Sequence, residues 1–403
     1  MTDPDSDSRP TIDRRKFLTL AGATGIAGLA GCDGGGTAGD TPSGTATDTP
    51  TDTDTPTETS TDTPTETDTP TETATEPPAE NGPFAEIPAP SGEDVERPSG
   101  DAGTLQVLDW AGFESAVTYT FDDGQPSHVA HYDELEATGA DVTFYVSMNA
   151  EPEGAQETWK QAIEDGHEIG NHTVSHPHDD LSGSSFGESE DSLAAEIEGC
   201  TEYITETLGQ GDVWTFAAPF GEGGWTEPAR ESDLFLNRGV GGGSIAPGDG
   251  TDPYNLSCYM ATEGDTADTF DGKIDSARSN GEWLIFLFHS IRPTDQEWYA
   301  PVDIGEITGS VEHATDYDDV WVDTVANVGA YWRGQQILES AETEESGDET
   351  TWTWTVPEDY PSHQHVRVTV DGGTLSQNGT ELEWNSSGYY EVALDEESLR
   401  LAP

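Results

Sequence analysis

Four short segments of the sequence carry residues that could perform chemistry together. The first ends in Asp122-Asp123-Gly124, where an apolar run turns and two adjacent carboxylates can diverge, one towards a cation and the other towards a substrate. The second holds His172 and His176, whose spacing lets two imidazoles face one side of a turn and chelate a divalent metal. Each segment alone is also what an acidic protein shows at an ordinary turn or on its surface.

The other two segments are less specific when taken singly. The loop Pro219-Phe220-Gly221 follows an apolar run, and a strand that ends in a Pro-Gly turn explains it equally well. His289 closes a run of six apolar residues, 283–288, at the rim of a predicted core. A histidine in that position is more often a structural residue with satisfied hydrogen bonds.

The elements that must position these segments alternate between strands and helices. Buried strands are predicted over residues 115–121, 141–147, 212–218 and 283–289. Amphipathic helices are predicted over residues 127–138, 157–165, 189–208, 268–279 and 323–332. This alternation predicts an α/β sheet or barrel of parallel strands, in which chemistry collects at the carboxyl ends of the strands.

Taken together, the four segments resemble the polysaccharide deacetylase family (NodB homology domain, carbohydrate esterase family 4-like). The family's motifs T-F-D-D-G, H-[ST]-x-x-H, a Pro-aromatic-Gly loop and L-x-H occur here in that order. The resemblance covers about residues 110–335. It implies a distorted (β/α) barrel with fewer than eight regular strands, and a hydrolase that acts on carbon–nitrogen bonds other than peptide bonds.

The resemblance also implies roles for five of these residues. Asp123, His172 and His176 would hold a divalent metal, for which two imidazoles and one carboxylate suit Zn²⁺ best and also accept Co²⁺ or Ni²⁺. Asp122 would act as general base on the attacking water. His289 would protonate the leaving amine, an exchange that suits an imidazole with a pKa near its ordinary value of about 6.5.

Substrate-binding roles follow from the same resemblance. Leu287 would line the pocket for the acetyl methyl group, and the backbone N–H near Phe220 would help to hold the oxyanion. The family's third motif begins with an Arg that pairs with the catalytic Asp, and Ala217 occupies that position here. Because basic residues are so few, Arg238 on the next predicted strand is the first candidate to replace it, and Arg292 is the second. Both could equally be ordinary surface ion-pair residues.

Removal of acetyl groups, N-acetyl first, from a cell-surface or extracellular polysaccharide is the function that the resemblance implies. Two alternatives stay open: a non-catalytic glycan-binding lipoprotein on the same scaffold, and a hydrolase of a non-sugar amide. An open trough lined by aromatic residues would favour a glycan, whereas a closed pocket would favour a small amide. Trp225, Trp298 and Tyr299 are candidates for a stacking floor or for core packing.

The charge balance limits the partners of the protein. The chain has 81 acidic and 14 basic residues, for a formal charge of −67, and residues 101–403 alone contain 61 acidic and 9 basic ones. Such a surface repels nucleic acid, which excludes a nucleic-acid partner, and it repels itself unless salt screens it. The composition therefore predicts a halophilic protein.

The N-terminus reads as a targeting sequence. Arg14-Arg15 precede a short Gly/Ala-rich apolar run that ends in Leu29-Ala30-Gly31-Cys32. A twin Arg before such a run predicts export by the Tat pathway, and the last four residues resemble a lipobox. Lipidated Cys32 would be the only membrane contact, at the outer face of the cytoplasmic membrane, in a lipoprotein of haloarchaeal type; an extracellular location is the alternative.

The sequence predicts four regions. They are a Tat signal with lipobox (1–32), a disordered Thr/Asp/Pro/Glu-rich linker (33–99), the deacetylase-like domain (100–335) and a small β domain (345–403). In the last region Trp352, Trp354 and Tyr389 could form a carbohydrate platform, but alternation of Thr with Trp favours packing on the barrel. Cys200 and Cys258 could pair after export or stay as buried thiols.

Overall fold

The computed structural model describes residues 84–92, 94–152 and 154–403. The predicted Tat signal, Cys32 and most of the predicted linker lie outside these residues. Within the described part of the chain, no helix is both long and apolar enough to cross a membrane.

Strands and helices alternate as far as Glu339, and strands with one short 3₁₀ helix fill the rest of this region. The strands are β1 (Leu105–Val107), β2 (Ser115–Asp123), β3 (Thr143–Val146), β4 (Glu168–Asn171), β5 (Thr215–Ala217), β6 (Leu236–Arg238), β7 (Tyr259–Met260), β8 (Trp283–Phe288), β9 (Ile291–Arg292), β10 (Val302–Asp303), β11 (Val320–Val322), β12 (Glu342–Ser346), β13 (Glu349–Thr353), β14 (His365–Val370), β15 (Thr374–Gln377), β16 (Thr380–Glu381), β17 (Tyr390–Ala393) and β18 (Ser398–Ala402). The α-helices are α1 (Pro126–Ala130), α2 (Tyr132–Glu136), α3 (Ala155–Asp165), α4 (Leu193–Glu202), α5 (Thr226–Arg230), α6 (Ala267–Asn280), α7 (Ile304–Thr315) and α8 (Val325–Glu339).

Eight of these strands form one parallel sheet. Its order is β6-β5-β4-β3-β2-β8-β7, and β11 pairs with the start of β2. The sheet curls until a single parallel bridge, Arg238 to Leu256, links β6 with the segment that leads into β7. The predicted α/β fold with a distorted barrel is confirmed.

Side-chain alternation along the strands divides the barrel into two layers. Phe121, Phe144 and Phe288 face outwards, and the ring of Phe121 lies 5.4 Å from that of Phe144 and 5.5 Å from that of Phe288. The outer layer packs against helix residues such as Trp159. The inner layer carries small, polar and aliphatic side chains. Asp122 therefore ends β2 on the inner face.

The C-terminal strands form two antiparallel sheets. One has the order β1-β14-β17 and the other β12-β13-β18-β15-β16, so the early strand β1 belongs to the first of them. Trp354 and Tyr389 are buried, and Trp352 is partly buried against the core that the barrel and these sheets share. The interpretation that these aromatic residues pack rather than form an exposed platform agrees with this burial.

Arg367 fastens the first described residues to the fold. Its guanidinium donates hydrogen bonds to the carbonyl oxygens of Ile87 (2.6 Å), Pro88 (2.8 Å) and Ala111 (3.1 Å). Phe84 packs against Trp214 with ring centroids 5.4 Å apart. The residues before β1 are thus held at the junction of the barrel and the C-terminal sheets.

Cys200 and Cys258 are both buried free thiols. They do not form the disulfide that the sequence left open. The thiol of Cys258 contacts the carbonyl oxygen of Gly239, the residue after Arg238, at 3.3 Å. Burial raises the pKa of the Cys258 thiol, so it is present as the neutral form.

Candidate metal and catalytic site

Three predicted metal ligands converge at the carboxyl ends of β2 and β4. Asp123 Oδ1 lies 3.6 Å from His172 Nε2 and 3.7 Å from His176 Nε2, and the two imidazole rings are 4.7 Å apart. One ligand atom from each residue falls within 4.8 Å of the other two, and all three residues are buried. This donor set fits a divalent metal such as Zn²⁺.

Hydrogen bonds to the far nitrogen of each imidazole orient the rings. His172 Nδ1 donates to the carbonyl oxygen of Ala217 at 2.7 Å, which leaves the Nε2 lone pair facing Asp123. His176 Nδ1 lies 3.2 Å from Ser185 Oγ. Residues that hold a metal through Nε2 need this arrangement, because a protonated Nε2 cannot coordinate.

The charges of the three groups are coupled. Burial acts to raise the pKa of Asp123, but the neighbouring His172 and His176 hold that pKa well below its usual range. Burial lowers the pKa of His176 to about 4, assisted by the neighbouring His172. Burial also acts to lower the pKa of His172, yet Asp122 and Asp123 raise it above the ordinary value. The carboxylate of Asp123 therefore stays ionised beside the rings.

A buried glutamate shapes the turn between the two histidines. Glu196 on α4 accepts hydrogen bonds from the backbone N–H of Ser175 (2.8 Å) and from its hydroxyl (2.7 Å). Asn171 Oδ1 accepts the N–H of Thr173 at 2.8 Å, and Thr173 Oγ1 accepts the N–H of His176 at 2.9 Å. These contacts hold the turn tightly enough to place both rings on one side.

Backbone strain is concentrated at the site. Asp123, Thr173, His176 and Phe220 have φ between 54° and 79°, a left-handed conformation that non-glycine residues seldom adopt. Each such residue costs about 1–3 kcal/mol, which the surrounding contacts must offset. At Asp123 this conformation ends the strand, so that both adjacent carboxylates can reach the rim of the barrel.

Asp122 is held by a fully buried arginine. Arg238 Nη2 donates to both carboxylate oxygens of Asp122, and Asp122 Oδ2 lies 3.8 Å from His172 Nε2. Burial acts to lower the pKa of Arg238, but Asp122 raises it above its ordinary value. Arg238 pairs in register with Ala217, so the guanidinium enters the site from the strand beside the position where the family's motif has its Arg.

Arg292 occupies a different environment from Arg238. Its guanidinium contacts Glu297 (2.7 Å) and Glu263 (2.9 Å) at the surface. It is therefore an ordinary surface ion-pair residue, and of the two candidates only Arg238 contacts Asp122.

His289 follows β8 at the same rim. Its carbonyl oxygen accepts a hydrogen bond of 2.6 Å from His128 Nε2, and its ring meets the ring of Tyr299 edge-on at 4.9 Å. Burial lowers the pKa of His289 below its ordinary value. Among the residues that the structure describes, none hydrogen-bonds the buried Nδ1 of His289. Away from His289, Asp249 accepts the backbone N–H groups of Ala246 and Thr251, and Asp252 accepts a hydrogen bond from Arg230.

Residues 112–233 match the family model described as polysaccharide deacetylase. This match supports a polysaccharide deacetylase domain over that part of the chain. The prediction that the protein is a hydrolase of the polysaccharide deacetylase type is confirmed by this match. The matched residues include Asp122, Asp123, His172 and His176, whereas Arg238 and His289 lie beyond them.

Solved structures similar to the deacetylase domain are distant in sequence. The CE4 domain of a multidomain xylanase from the hindgut metagenome of Trinervitermes trinervoides is 16% identical, with 53% of this chain and 88% of that chain covered and a TM-score of 0.37. A family 4 carbohydrate esterase from Streptomyces lividans is 16% identical, with 52% and 93% covered and a TM-score of 0.37. The catalytic domain of a peptidoglycan N-acetylglucosamine deacetylase from Eubacterium rectale is 15% identical, with 58% and 92% covered and a TM-score of 0.35.

The loop Pro219-Phe220-Gly221 borders the metal ligands of the deacetylase domain. The ring of Phe220 lies 4.5 Å from that of His176 and stacks on His178 at 4.2 Å, yet Phe220 is 46% exposed. Gly221 has φ of 64°, and a Cβ there would come within 2.7 Å of Val240. Only glycine fits that position without moving the loop.

Exposed apolar side chains surround the metal ligands. Trp298 is 39% exposed and Tyr299 is 40% exposed, and Trp298 packs on Phe186 at 5.4 Å. Phe186 in turn contacts His176 at 5.8 Å. Trp225, by contrast, is buried against Phe216 in the core and is excluded from a stacking floor.

Leu287 is fully buried in β8, opposite Thr120 of β2. The structure thus places it on the inner face of the barrel, below the rim where the carboxylates lie. Gln125, Ser290, Ser185 and Glu196 were not predicted from the sequence, although all four contact or support the predicted ligands. The only sequence signal for Gln125 and Ser290 was their position directly after two of the motifs.

Proposed function

We propose that this protein is a metal-dependent hydrolase that removes acetyl groups, N-acetyl first, from a cell-surface or extracellular polysaccharide. The observation that carries the proposal is the meeting of Asp123, His172 and His176 beside the Asp122–Arg238 pair at one end of the barrel. The deacetylase match covers four of these residues. The N-acetyl preference and the location extend beyond that match.

The metal site is assigned from the donor set. Asp123 Oδ1, His172 Nε2 and His176 Nε2 would hold the ion, with Zn²⁺ first and Co²⁺ or Ni²⁺ as alternatives. When bound, a divalent ion polarises the acetyl carbonyl and makes water a better nucleophile at neutral pH. The acyl chemistry otherwise depends on how the protein's own groups handle protons.

Asp122 is the group that accepts a proton from the attacking water. It stands beside the ligands without being one of them, and Arg238 fixes both of its oxygens. A carboxylate held in place in this way needs no rearrangement at the moment of proton transfer. Arg238 is thus a positioning residue for Asp122.

His289 delivers a proton to the leaving nitrogen. Its backbone is fixed through the hydrogen bond from His128, and the edge of Tyr299 limits rotation of its ring. A lowered pKa makes the protonated ring a stronger acid, which favours transfer to a departing amine. The backbone N–H near Phe220 is the candidate donor to the developing oxyanion.

The substrate assignment rests on the rim. Exposed Phe220, Trp298 and Tyr299 flank the metal ligands and offer flat faces on which sugar rings can stack. An exposed aromatic border favours an extended glycan over a small amide. A non-catalytic glycan-binding role is disfavoured because Asp122 and Arg238 form a buried ion pair that binding alone does not need.

Export and anchoring complete the proposal. The twin Arg14-Arg15 and the lipobox-like Leu29-Ala30-Gly31-Cys32 support Tat export and lipidation of Cys32 at the outer face of the cytoplasmic membrane. A large external glycan suits that location. Mass spectrometry of the membrane fraction before and after Cys32→Ser tests it, and an unlipidated wild-type chain contradicts it.

Acetate release tests the activity. We would assay the full-length protein in molar NaCl on N-acetylglucosamine oligomers and on O-acetylated glycan, with zinc content measured in the same samples. We expect one zinc per chain, and loss of acetate release on chelation with recovery when zinc is returned. Bound zinc without release from any acetylated glycan would favour the binding or non-sugar alternatives, and no bound metal would exclude the site.

A further inference from the structure

A chain of buried hydrogen bonds runs from the metal ligand Asp123 to the exposed aromatic residues at the rim. Gln125 Nε2 donates to Asp123 Oδ2 at 2.9 Å, and Gln125 Oε1 accepts from Ser290 Oγ at 2.6 Å. Ser290 Oγ accepts the backbone N–H groups of Trp298 (2.8 Å) and Tyr299 (3.2 Å). Gln125 and Ser290 are both fully buried. We call this chain the Gln125–Ser290 relay.

The direction of every bond in the relay is fixed from both ends. Two backbone N–H groups can only donate, so Ser290 Oγ must use its own proton on Gln125 Oε1. This leaves the amide nitrogen of Gln125 facing Asp123, whose ionised carboxylate can only accept. The amide of Gln125 supplies the one acceptor and the one donor that this order requires.

At the metal end, the relay decides which oxygen of Asp123 is available. Gln125 occupies Oδ2, and Oδ1 is the oxygen that faces His172 Nε2 and His176 Nε2. A hydrogen bond to the non-coordinating oxygen of a carboxylate ligand holds its orientation. Gln125 therefore does for Asp123 what the carbonyl of Ala217 does for His172.

At the rim end, the relay holds the segment that carries the exposed rings. The backbone N–H of Ser290 donates to the carbonyl of Tyr299 at 3.1 Å, and Val302 N–H donates to the carbonyl of Ser290 at 3.0 Å. With the two contacts to its hydroxyl, Ser290 makes four hydrogen bonds to residues 298–302. The buried residue Ser290 thus holds in place the backbone of the segment that carries the exposed rings of Trp298 and Tyr299.

We propose that Gln125 and Ser290 are positioning residues, Gln125 for metal binding and Ser290 for glycan binding. Gln125 orients Asp123 for the metal, and Ser290 pre-orders Trp298 and Tyr299 as the surface on which sugar rings stack. The inference about glycan rests on the proposed function, whereas the inference about metal does not. Neither residue transfers a proton in the reaction.

Two variants separate the two ends of the relay. Gln125→Met keeps the size of the side chain and removes both of its hydrogen bonds, so we expect the zinc Kd to rise about tenfold or more. Ser290→Ala keeps the contact between Gln125 and Asp123, so we expect an unchanged zinc Kd and a Kd for N-acetylglucosamine hexamer raised about three- to tenfold by the lost pre-ordering. Both Kd values are measured by calorimetry on the full-length protein in molar NaCl, without turnover.

Ser127→Ala is the matched control. Ser127 is also buried at the start of α1, and its hydroxyl accepts the N–H of Ile291 at 3.0 Å, so it ties the same two segments together outside the relay. We expect it to lower the melting temperature about as much as Ser290→Ala does, with both Kd values unchanged. A purely structural role for the relay would make the three variants alike.

The outcomes are decisive in each direction. If Gln125→Met and Ser290→Ala change both Kd values no more than Ser127→Ala does, the relay has no positioning role. If Gln125→Met does not fold, Ser290→Ala still tests the rim end. If the wild-type protein binds zinc and hexamer but releases no acetate, the proposed function fails while the two Kd comparisons still decide the relay. A wild-type protein that binds no hexamer overturns the rim end alone.

Discussion

Two buried arginines sit in similar surroundings and do different work. Arg238 in the barrel and Arg367 in the C-terminal sheets are both almost completely buried, and each guanidinium lies over a tyrosine ring, at 5.1 Å from Tyr145 and 4.2 Å from Tyr389. Their partners differ. Arg238 pairs with the carboxylate of Asp122, whereas the closest partners of Arg367 are backbone carbonyls.

The difference shows how the same side chain serves chemistry in one region and cohesion in another. Carbonyl oxygens are neutral, so Arg367 satisfies acceptors that would otherwise be buried without partners. The carboxylate of Asp122 stands 3.8 Å from His172 Nε2, and in the proposed function Arg238 positions that carboxylate for proton transfer. Changes around Arg238 should therefore alter turnover, and changes around Arg367 should alter stability.

The largest effect on turnover is expected from Asp122→Asn, which removes the carboxylate that pairs with Arg238 and has no counterpart among the carbonyl partners of Arg367. An amide cannot take a proton from water, so kcat should fall about 10³-fold with zinc content unchanged. Acetate release and metal analysis measure both. Asp252→Asn, which alters an exposed carboxylate paired with Arg230, should leave kcat within a factor of two. A fall in kcat of less than tenfold in Asp122→Asn would remove Asp122 from the proton transfer.

Arg238→Lys should have the next largest effect. Lysine keeps the charge but loses the planar fork, so Asp122 is held less firmly, and kcat should fall about 10²-fold with KM little changed. Steady-state acetate release measures the split. Arg333→Lys is the control. Arg333 is largely buried and, like Arg238, binds a carboxylate, but its partners are Asp359 and the carbonyl of Phe235. Equal losses in the two variants would contradict the special role of Arg238.

Arg367→Met should leave turnover per folded molecule unchanged and lower stability. Three carbonyls lose their donor, which should reduce the free energy of unfolding by about 2 kcal/mol. Urea unfolding in molar NaCl measures it. Arg400→Met, at an exposed pair with Glu349, should change the free energy of unfolding far less, because solvent screens that pair. Loss of turnover without loss of stability in Arg367→Met would break the comparison.

The smallest effect concerns acid stability in the barrel. His128 Nδ1 accepts the N–H of Gln125 at 3.2 Å and Nε2 donates to His289, so the folded state needs the neutral ring. Burial lowers the pKa of His128 to about 4, below its unfolded value of about 6.5. The unfolded chain thus binds more protons below that value, and stability falls as the pH drops from about 6.5 towards 4.

This histidine should contribute a slope approaching about 1.4 kcal/mol per pH unit in that window. Unfolding in urea at several pH values measures the slope, and His128→Asn should flatten it by one proton. An unchanged slope in the variant would mean that His128 is already protonated in the folded protein. Above pH 6.5 the contribution is fully present, so the two proteins should differ there by a constant amount.

The parts of the barrel that could be predicted from sequence are those with long apolar runs. β2, β3 and β8 were found because their residues are nearly all apolar or β-branched and buried. β4 was missed because Glu168-Ile169-Gly170-Asn171 has one apolar residue, and tertiary contacts such as Thr143 Oγ1 with Glu168 compensate its polarity. α7 also went unpredicted, although its buried stripe is apolar.

The candidate site shows the same division. Asp123, His172 and His176 could be named because the four segments together resemble the deacetylase motifs, and Arg238 could be named because so few cations were available. Gln125 and Ser290 could not, since a glutamine beside a turn and a serine after a strand have no distinguishing pattern. Their function depends on a hydrogen bond between residues 165 positions apart, which only the fold brings together.

The contacts of Arg367 with the first described residues would have a mechanical role in a protein anchored through Cys32, as proposed above. A pull on the chain before Phe84 would load the carbonyls of Ile87 and Pro88 against the Arg367 guanidinium, and the Phe84 ring against Trp214. Arg367 belongs to β14, outside the strands that carry the metal ligands. A pulling force would thus break the hydrogen bonds of Arg367 first. The positions of Asp123, His172 and His176 would stay unchanged until those bonds had broken.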